Sequence, residues 1–519
     1  MRENREIPFS PAVHGQGGGP LREGSSRKPE MHKDGRSDSP VLPTKPPNKA
    51  GAAEAVEGRG LTKGNTASTT GSGLRAGMRM SQGLDRVRQA AERDKETRFT
   101  ALLHHVDIDC LREAFGAINP KAAAGVDGVT WEAYGENLEA NLQDLHRRLN
   151  SGAYRAKPVR RTYIPKADGR QRPLGIASLE DKIVQGALVK VLNCIYEVDF
   201  LGFSYGFRPG RGPHHALDAL TVGISKKKVN WVLDADLADF FTSLDRGWLM
   251  KFLEHRIADK RVLRTIQKWL KAGIVEDGNW AEYDAGTPQG ATASPLLANV
   301  YLHYVFDLWA ERWRRKQARG DVIFVRYADD FIAGFQHKED ADRFLADLVE
   351  RFARFGLELK AEKTRLIEFG RFAVRDREAK GLGKPETFDF LGFTHICGKT
   401  RAGEFRVLRK TVSKRRRSKL REFNDELKRR RHLPIPEQGR WLRSVAQGHL
   451  NYYAVPGNLE AVSDFIFELR RLWMMALIRR SQKKRMSWTR FSRLAAGWLP
   501  TVRNMHPYPD RRFAATHPR

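Results

Sequence analysis

Cysteine is scarce. The 519 residues contain three, Cys110, Cys194 and Cys397, far apart in the chain. No C-x-x-C pair occurs, which excludes a zinc site built on such pairs and leaves reduced, partly buried thiols as the expectation. Long apolar runs are missing too. No stretch of about 18 apolar residues is present, so neither a spanning helix nor a membrane partner is expected. The opening Met1-Arg2-Glu3-Asn4-Arg5 carries no apolar core of a secretory signal, and the expectation is a cytoplasmic, nucleoid-associated protein. Acidic residues are in short supply: 62 Asp and Glu face 92 Lys and Arg, for a net charge of +30. An excess of that size is a statement about partners, and nucleic acid is the leading polyanion, preferred to the rival, a membrane surface.

What the chain does have is enough apolar content, 40%, to fold over most of its length. The exception is residues 1–80, rich in Gly, Pro, Ser and Lys, which read as a disordered basic tail unable to bury a core. Helical spacing begins with Leu84, Val87, Ala90 and Ala91 and continues through Cys110–Phe115. The loop Ala124-Gly125-Val126-Asp127-Gly128-Val129-Thr130 follows, and one helix is predicted over Trp131–Leu149. From Val159 to Lys166 the pattern alternates like a strand, turns at Ala167–Arg170, and returns over Gln171–Ile176. This makes a hairpin studded with Arg160, Arg161, Lys166, Arg170 and Arg172. A helix from Leu179 to Tyr196 comes next. The stretch Phe203–Gly212 mixes aromatics, glycines, Arg208 and Arg211. Such a mix suits backbone contacts and base stacking on nucleic acid, or an ordinary packed loop.

Two stretches carry candidate chemistry. Trp231–Leu237 reads as a strand whose period of two places Asp234 and Asp236 on one face. Acids on a buried strand need a cationic partner, either a metal or an arginine. Phe324–Phe335 reads as a hairpin with Ala328-Asp329-Asp330 at its tip. Asp suits turns, so two acids there are unremarkable alone. With Asp236 they make three carboxylates on two strand ends. Hard cations such as Mg²⁺ take oxygen ligands from more than one element, and a pair of them stabilises the attacking and leaving oxygens of phosphoryl transfer.

The words around these acids resemble the reverse transcriptases encoded by group II introns. Tyr327-Ala328-Asp329-Asp330 resembles their Y-x-D-D. Asp236 with Phe241 resembles their first catalytic motif and its steric gate. Gly286–Asn299 resembles P-Q-G-x-x-x-S-P-L-L-x-N, and Gly356–Thr364 and Phe388–Phe393 resemble the two motifs that follow. Ala124–Thr130 resembles the N-terminal extension motif of non-retroviral members. The resemblance covers about residues 84–519.

It implies an α+β right-hand polymerase with fingers, a palm built on an antiparallel sheet, a helical thumb and a helical N-terminal extension. Asp236, Asp329 and Asp330 are expected to hold two Mg²⁺ ions. Phe241 is expected to exclude a ribose 2′-hydroxyl. Lys166 and Arg172 would grip the incoming dNTP, Gln289 would line its pocket, and Lys363 would lie near the pyrophosphate.

The domains expected are an extension over 81–150, fingers and palm over 151–395, a thumb or maturase domain over 396–485, and a short basic DNA-binding tail over 486–519. Lys410–Arg431 is predicted to be a helix with Val412, Leu420, Phe423 and Leu427 on one face. Arg415, Arg416, Lys419 and Arg430 on its other faces are expected to meet RNA. The Gly448–Tyr453 stretch resembles a maturase signature, with Tyr452 and Tyr453 stacking on RNA or, the favoured reading, packing. With no paired cysteines near the end of the sequence, the H-N-H endonuclease is expected to be missing, and the resemblance then implies a primer obtained elsewhere, for instance from a nascent strand. The function implied is an RNA-directed DNA polymerase that copies an RNA template from a DNA primer. It would also bind its group II intron RNA for splicing and move the intron into target DNA. A domesticated reverse transcriptase in defence or repair, and a splicing factor without polymerase activity, are the alternatives. The sequence is silent on the oligomeric state.

Overall fold

The computed structural model describes residues 82–165, 171–276, 279–281, 290–400, 402–480 and 486–516. These lie in one compact unit. The basic tail expected over 1–80, together with Lys166 and Gln289, lies outside the described residues.

Four helices come first, Gln82–Arg93, Ile108–Ala117, Trp131–Gly135 and Leu138–Asn150. The single helix expected from Trp131 to Leu149 is broken: Thr130 caps the first piece through Ala133 N–H, and the chain leaves helical geometry at Asn137. Leu142, Leu145 and Leu149 face inward with Leu84, Val87 and Ala91, as their helical spacing dictates.

Eleven strands follow in chain order. They are β1 (Val159–Pro165), β2 (Gln171–Ile176), β3 (Trp231–Asp236), β4 (Ile274–Glu276), β5 (Asn279–Ala281) and β6 (Val322–Tyr327). Then come β7 (Asp330–Phe335), β8 (Arg365–Glu368), β9 (Phe388–Phe390), β10 (Phe393–Lys399) and β11 (Phe405–Thr411). The first sheet runs β2-β1-β4-β5, with the basic hairpin paired Arg160 to Ile176 through Pro165 to Gln171. The central sheet runs β6-β7-β3-β8 and is antiparallel throughout. The third runs β11-β10-β9.

The central sheet is covered on both faces, so its strands alternate between two apolar clusters. Leu233, Ala235, Phe331, Ala333 and Phe335 enter the large core shared with the N-terminal helices. Val232, Val325, Ile332 and Ile367 enter a second core with Phe388, Phe390 and Phe393. Asp234 and Asp236 share the face of Val232 by strand period, at the end where that second core gives out.

Two expectations about the C-terminal half change. Lys410 and Thr411 belong to β11, because Phe405–Thr411 pairs with Phe393–Lys399; the helix runs only from Ser413 to Arg429. The boundary expected at 396 therefore falls inside a strand, and the helical region starts at Ser413. It continues with Ile435–Tyr453, Leu459–Ile478 and Trp488–Ala496 around Phe423, Leu442, Phe465 and Trp473. The tail expected to reach DNA is folded back. Helix Pro509–Thr516 lies on helix Pro213–Lys226, with Arg512 paired to the buried Asp218 at 3.1 Å, and His506 Nε2 lies 2.6 Å from Asn451 O. Arg490, Arg493, Arg503 and Arg511 still face outward. Among the described residues, no helix is long and apolar enough to cross a membrane.

Candidate active site

The acidic hairpin forms as its sequence predicts. Strands β6 and β7 pair from Val322–Phe335 to Tyr327–Asp330, leaving Ala328 and Asp329 as a two-residue turn. Such turns require left-handed backbone. Here Ala328 supplies it, with φ of 59°. An alanine in that region costs about 1–2 kcal/mol, so the surroundings must hold it. Part of that surrounding is Gly206, whose backbone lies against the turn: a Cβ there would sit 2.2 Å from Ala328 N. Only glycine fits that approach.

Strand β7 also pairs with β3, and in that register Asp330 stands directly opposite Asp236. Directly opposed residues share a face, so Asp236 and Asp330 meet across the strands, with Asp329 at the adjoining turn. Asp236 Oδ2 accepts from Lys363 Nζ at 2.7 Å and from Lys360 Nζ at 3.2 Å. Asp234, one step back, is met by Arg365 at 3.4 Å. The buried-strand acids thus have the cationic partners that their position demands. Lys360 was not singled out in the sequence, although it lies in the same motif as Lys363.

Burial raises the Asp329 carboxyl above its ordinary range, with Asp236 adding to the rise while Lys360 and Arg172 oppose it. Arg172 on β2 is therefore within electrostatic reach of the acids. Asp330 opens into the cleft, yet the desolvating walls, then the carboxylates of Asp329 and Asp236, push it up to about 7. Desolvation likewise lifts Asp234 to about 6. A cavity of about 440 Å³ lies against Asp234, Asp236 and Asp330 and is closed on its far side by Lys363, Gly392 and Arg415. Phe241 sits half-buried beyond β3, edge-on to Phe240 at 5.4 Å.

Of the residues expected to meet nucleic acid, Arg415 alone lines this cavity. Arg416, Lys419 and Arg430 lie on the helical surface, paired with Asp464, Glu422 and Glu426. Arg208 must be corrected. Its side chain is 2% exposed, bound to Glu197 and to the carbonyls of Leu201 and Ser204, so it braces its loop from inside. Arg211 does the same more loosely, donating to Gly202 O at 2.7 Å and lying over Tyr205. Tyr452 and Tyr453 pack: Tyr452 Oη donates to Leu391 O, and both rings lie on Phe393.

Residues 164–395 match the family model described as reverse transcriptase (RNA-dependent DNA polymerase), and that stretch carries all three acids. Protein YkfC of Escherichia coli is 33% identical over 317 residues, which is 55% of this chain and 78% of that protein. The chain belongs to the reverse transcriptases. This reverse transcriptase is also 32% identical over 222 residues to the group II intron-encoded protein LtrA of Lactococcus lactis, covering 42% of the chain and 37% of LtrA. An uncharacterised 91 kDa protein in the cob intron of Schizosaccharomyces pombe is 41% identical over 162 residues, 31% of the chain and 20% of that protein. Relatives of this reverse transcriptase thus include group II intron-encoded proteins, and the chain spans about a third or less of the length of these two.

Proposed function

We propose that this reverse transcriptase extends a DNA primer along an RNA template by a two-Mg²⁺ mechanism, and that it binds its intron RNA to promote splicing and mobility by target-primed reverse transcription. The observation that carries the reading is the register that sets Asp330 opposite Asp236 with Asp329 at the adjoining turn. In polymerase terms the first sheet forms the fingers, the central sheet the palm, and the helices from Ser413 onward the thumb. The chain would act in the cytoplasm, at the nucleoid.

The residues fit a hard cation. The donors are carboxylate oxygens, the type Mg²⁺ prefers. Burial, with the charge of Asp236 added, raises both Asp329 and Asp330, and a bound cation offsets that cost of carrying negative charge. Among the described residues no three His, Cys, Asp or Glu side chains are arranged to hold a metal by themselves. Mg²⁺ sites in phosphoryl transfer commonly take substrate phosphates as further ligands. Asp236 and Asp329 would be the principal ligands, with Asp330 beside them. Mg²⁺, when bound, supplies charge neutralisation at the attacking and leaving oxygens.

The chain's own groups do the rest by positioning and electrostatics. Lys166 and Arg172 would grip the dNTP from the fingers side, and Gln289 would line its pocket. Lys360 and Lys363, at Asp236, would face the charge that leaves with pyrophosphate. Phe241 would bar a 2′-hydroxyl. Exposed arginines of helix Ser413–Arg429 and the C-terminal segment would meet intron RNA and target DNA. The test is primer extension on an RNA template with Mg²⁺ and dNTPs. Asp329→Ala should abolish extension and still bind and splice the cognate intron RNA. Extension that survives in this variant would overturn the site.

A further inference from the structure

The face of the central sheet opposite the acids carries a buried polar cluster for which the proposed chemistry has no use. Arg326 lies on β6 and its side chain is 1% exposed. It stands opposite Phe331 in the register of β6 and β7, on the face whose apolar residues enter the large core. Its Nε and Nη2 donate to the two carboxylate oxygens of Asp307, at 2.7 and 2.5 Å, and Asp307 is fully buried. Asp307 is the last residue of a π-helical turn, His303–Asp307, an irregularity that often marks functional sites.

The remaining nitrogen is the informative one. Arg326 Nη1 donates to Asn299 Oδ1 and to Ala328 O, both at 3.0 Å. Asn299 in turn donates through Nδ2 to Gly206 O at 2.7 Å. Gly206 is the residue pressed against Ala328 N. The backbone of Arg326 completes the clamp, donating to Phe203 O and accepting from Tyr205 N, both at 2.9 Å. Arg326 Nη1, the Arg326 backbone and Asn299 Nδ2 all reach Ala328 or the Phe203–Gly206 loop packed against it.

A buried Arg–Asp pair adds little net stability over an apolar pair of the same shape. An apolar pair, however, cannot grip a carbonyl. The carbonyl gripped here belongs to the one strained residue of the turn, next to Asp329. We infer that Arg326, oriented by Asp307 and Asn299, is a positioning residue that holds the Ala328–Asp329 turn so that Asp329 faces Asp236. This rests on the polymerase reading above.

The test compares the parent chain with Arg326→Lys, Arg326→Lys/Ala328→Gly, and Arg326→Met/Asp307→Leu. Glycine adopts the left-handed turn without restraint, so it substitutes for the clamp. Four readouts are taken: single-nucleotide incorporation, Mn²⁺ binding by electron paramagnetic resonance, primer–template affinity and thermal midpoint. Arg326→Lys and the apolar double variant should lose about 100-fold in incorporation rate and weaken Mn²⁺ by about tenfold, with primer–template affinity kept. Ala328→Gly should return about tenfold of the rate to Arg326→Lys. Incorporation and Mn²⁺ binding within about threefold of the parent in either variant would overturn the inference. So would a loss that tracks the thermal midpoint with no recovery by Ala328→Gly. Mn²⁺ binding needs no turnover, so a parent that fails to extend primers defeats the functional reading while the clamp is still judged by its metal affinity.

Discussion

Gly206 is where the catalytic turn is most easily disturbed from outside. A methyl group added there would lie 2.2 Å from Ala328 N, 2.8 Å from the Tyr327 carbonyl carbon and 3.0 Å from Ala328 Cα. Ordinary contact is about 3.5 Å, so something must move by about 1.3 Å. The glycine side is held: its carbonyl accepts from Asn299, and Tyr205 N is tied to β6. Displacement therefore passes to the turn that carries Asp329. Overpacking of this kind costs about 1–3 kcal/mol of stability. A shift of about 1 Å at a reacting centre costs about 100-fold in rate. Gly206→Ala should thus lower single-turnover dNTP incorporation by about two orders of magnitude while primer–template affinity stays near the parent's. Gly202→Ala in the same loop, where the methyl meets nothing within 4 Å, is the control. Gly206→Ala with a rate within about threefold of the control would refute the reasoning, since the clash would then have relaxed elsewhere.

Phe241→Ala removes the proposed gate and should raise ribonucleotide incorporation by about tenfold or more, read as the rNTP to dNTP ratio of kcat/KM; an unchanged ratio counts against the gate. Arg208→Ala strands Glu197 and two carbonyls and should cost about 3–5 kcal/mol of stability with RNA affinity retained; lost RNA affinity in a fully folded variant would restore the contact role. The raised Asp330 binds its proton more tightly folded than unfolded between its ordinary 3.8 and about 7. Stability of the metal-free protein should therefore fall as pH rises through that window, and Mg²⁺ should raise the thermal midpoint more at pH 8 than at pH 6. A Mg²⁺ effect independent of pH would remove Asp330 from the metal's surroundings.

Local pattern made the hairpin, the strand of Asp234 and Asp236, and the order of motifs legible. Each depends on residues within a few positions of one another. What stayed hidden depends on partners beyond that window, the nearest of them 11 positions away. Arg208 looks like a nucleic-acid contact among Phe203, Tyr205 and Phe207, and only the approach of Glu197 turns it inward. Lys410 and Thr411 look helical until β10 arrives to pair with them. Arg326 looks like one more basic residue of a basic chain until Asp307 meets it from a π-helical turn. The short basic tail gives no sign of where it docks, because its anchor, Asp218, lies almost three hundred residues upstream.

That anchor also constrains motion. The helical region leaves the sheets once, between Thr411 and Ser413, and its chain comes back to helix Pro213–Lys226 through Pro509–Thr516. Between those two points it also rests on the sheets, through Tyr452 on Leu391 and Asn458 on Thr411, so the region is stitched down along a seam rather than hung from one strand end. Cutting the link between Arg512 and Asp218 would undo the last stitch of that seam and free the C-terminal helix, while the rest of the helical region stayed sewn to the sheets.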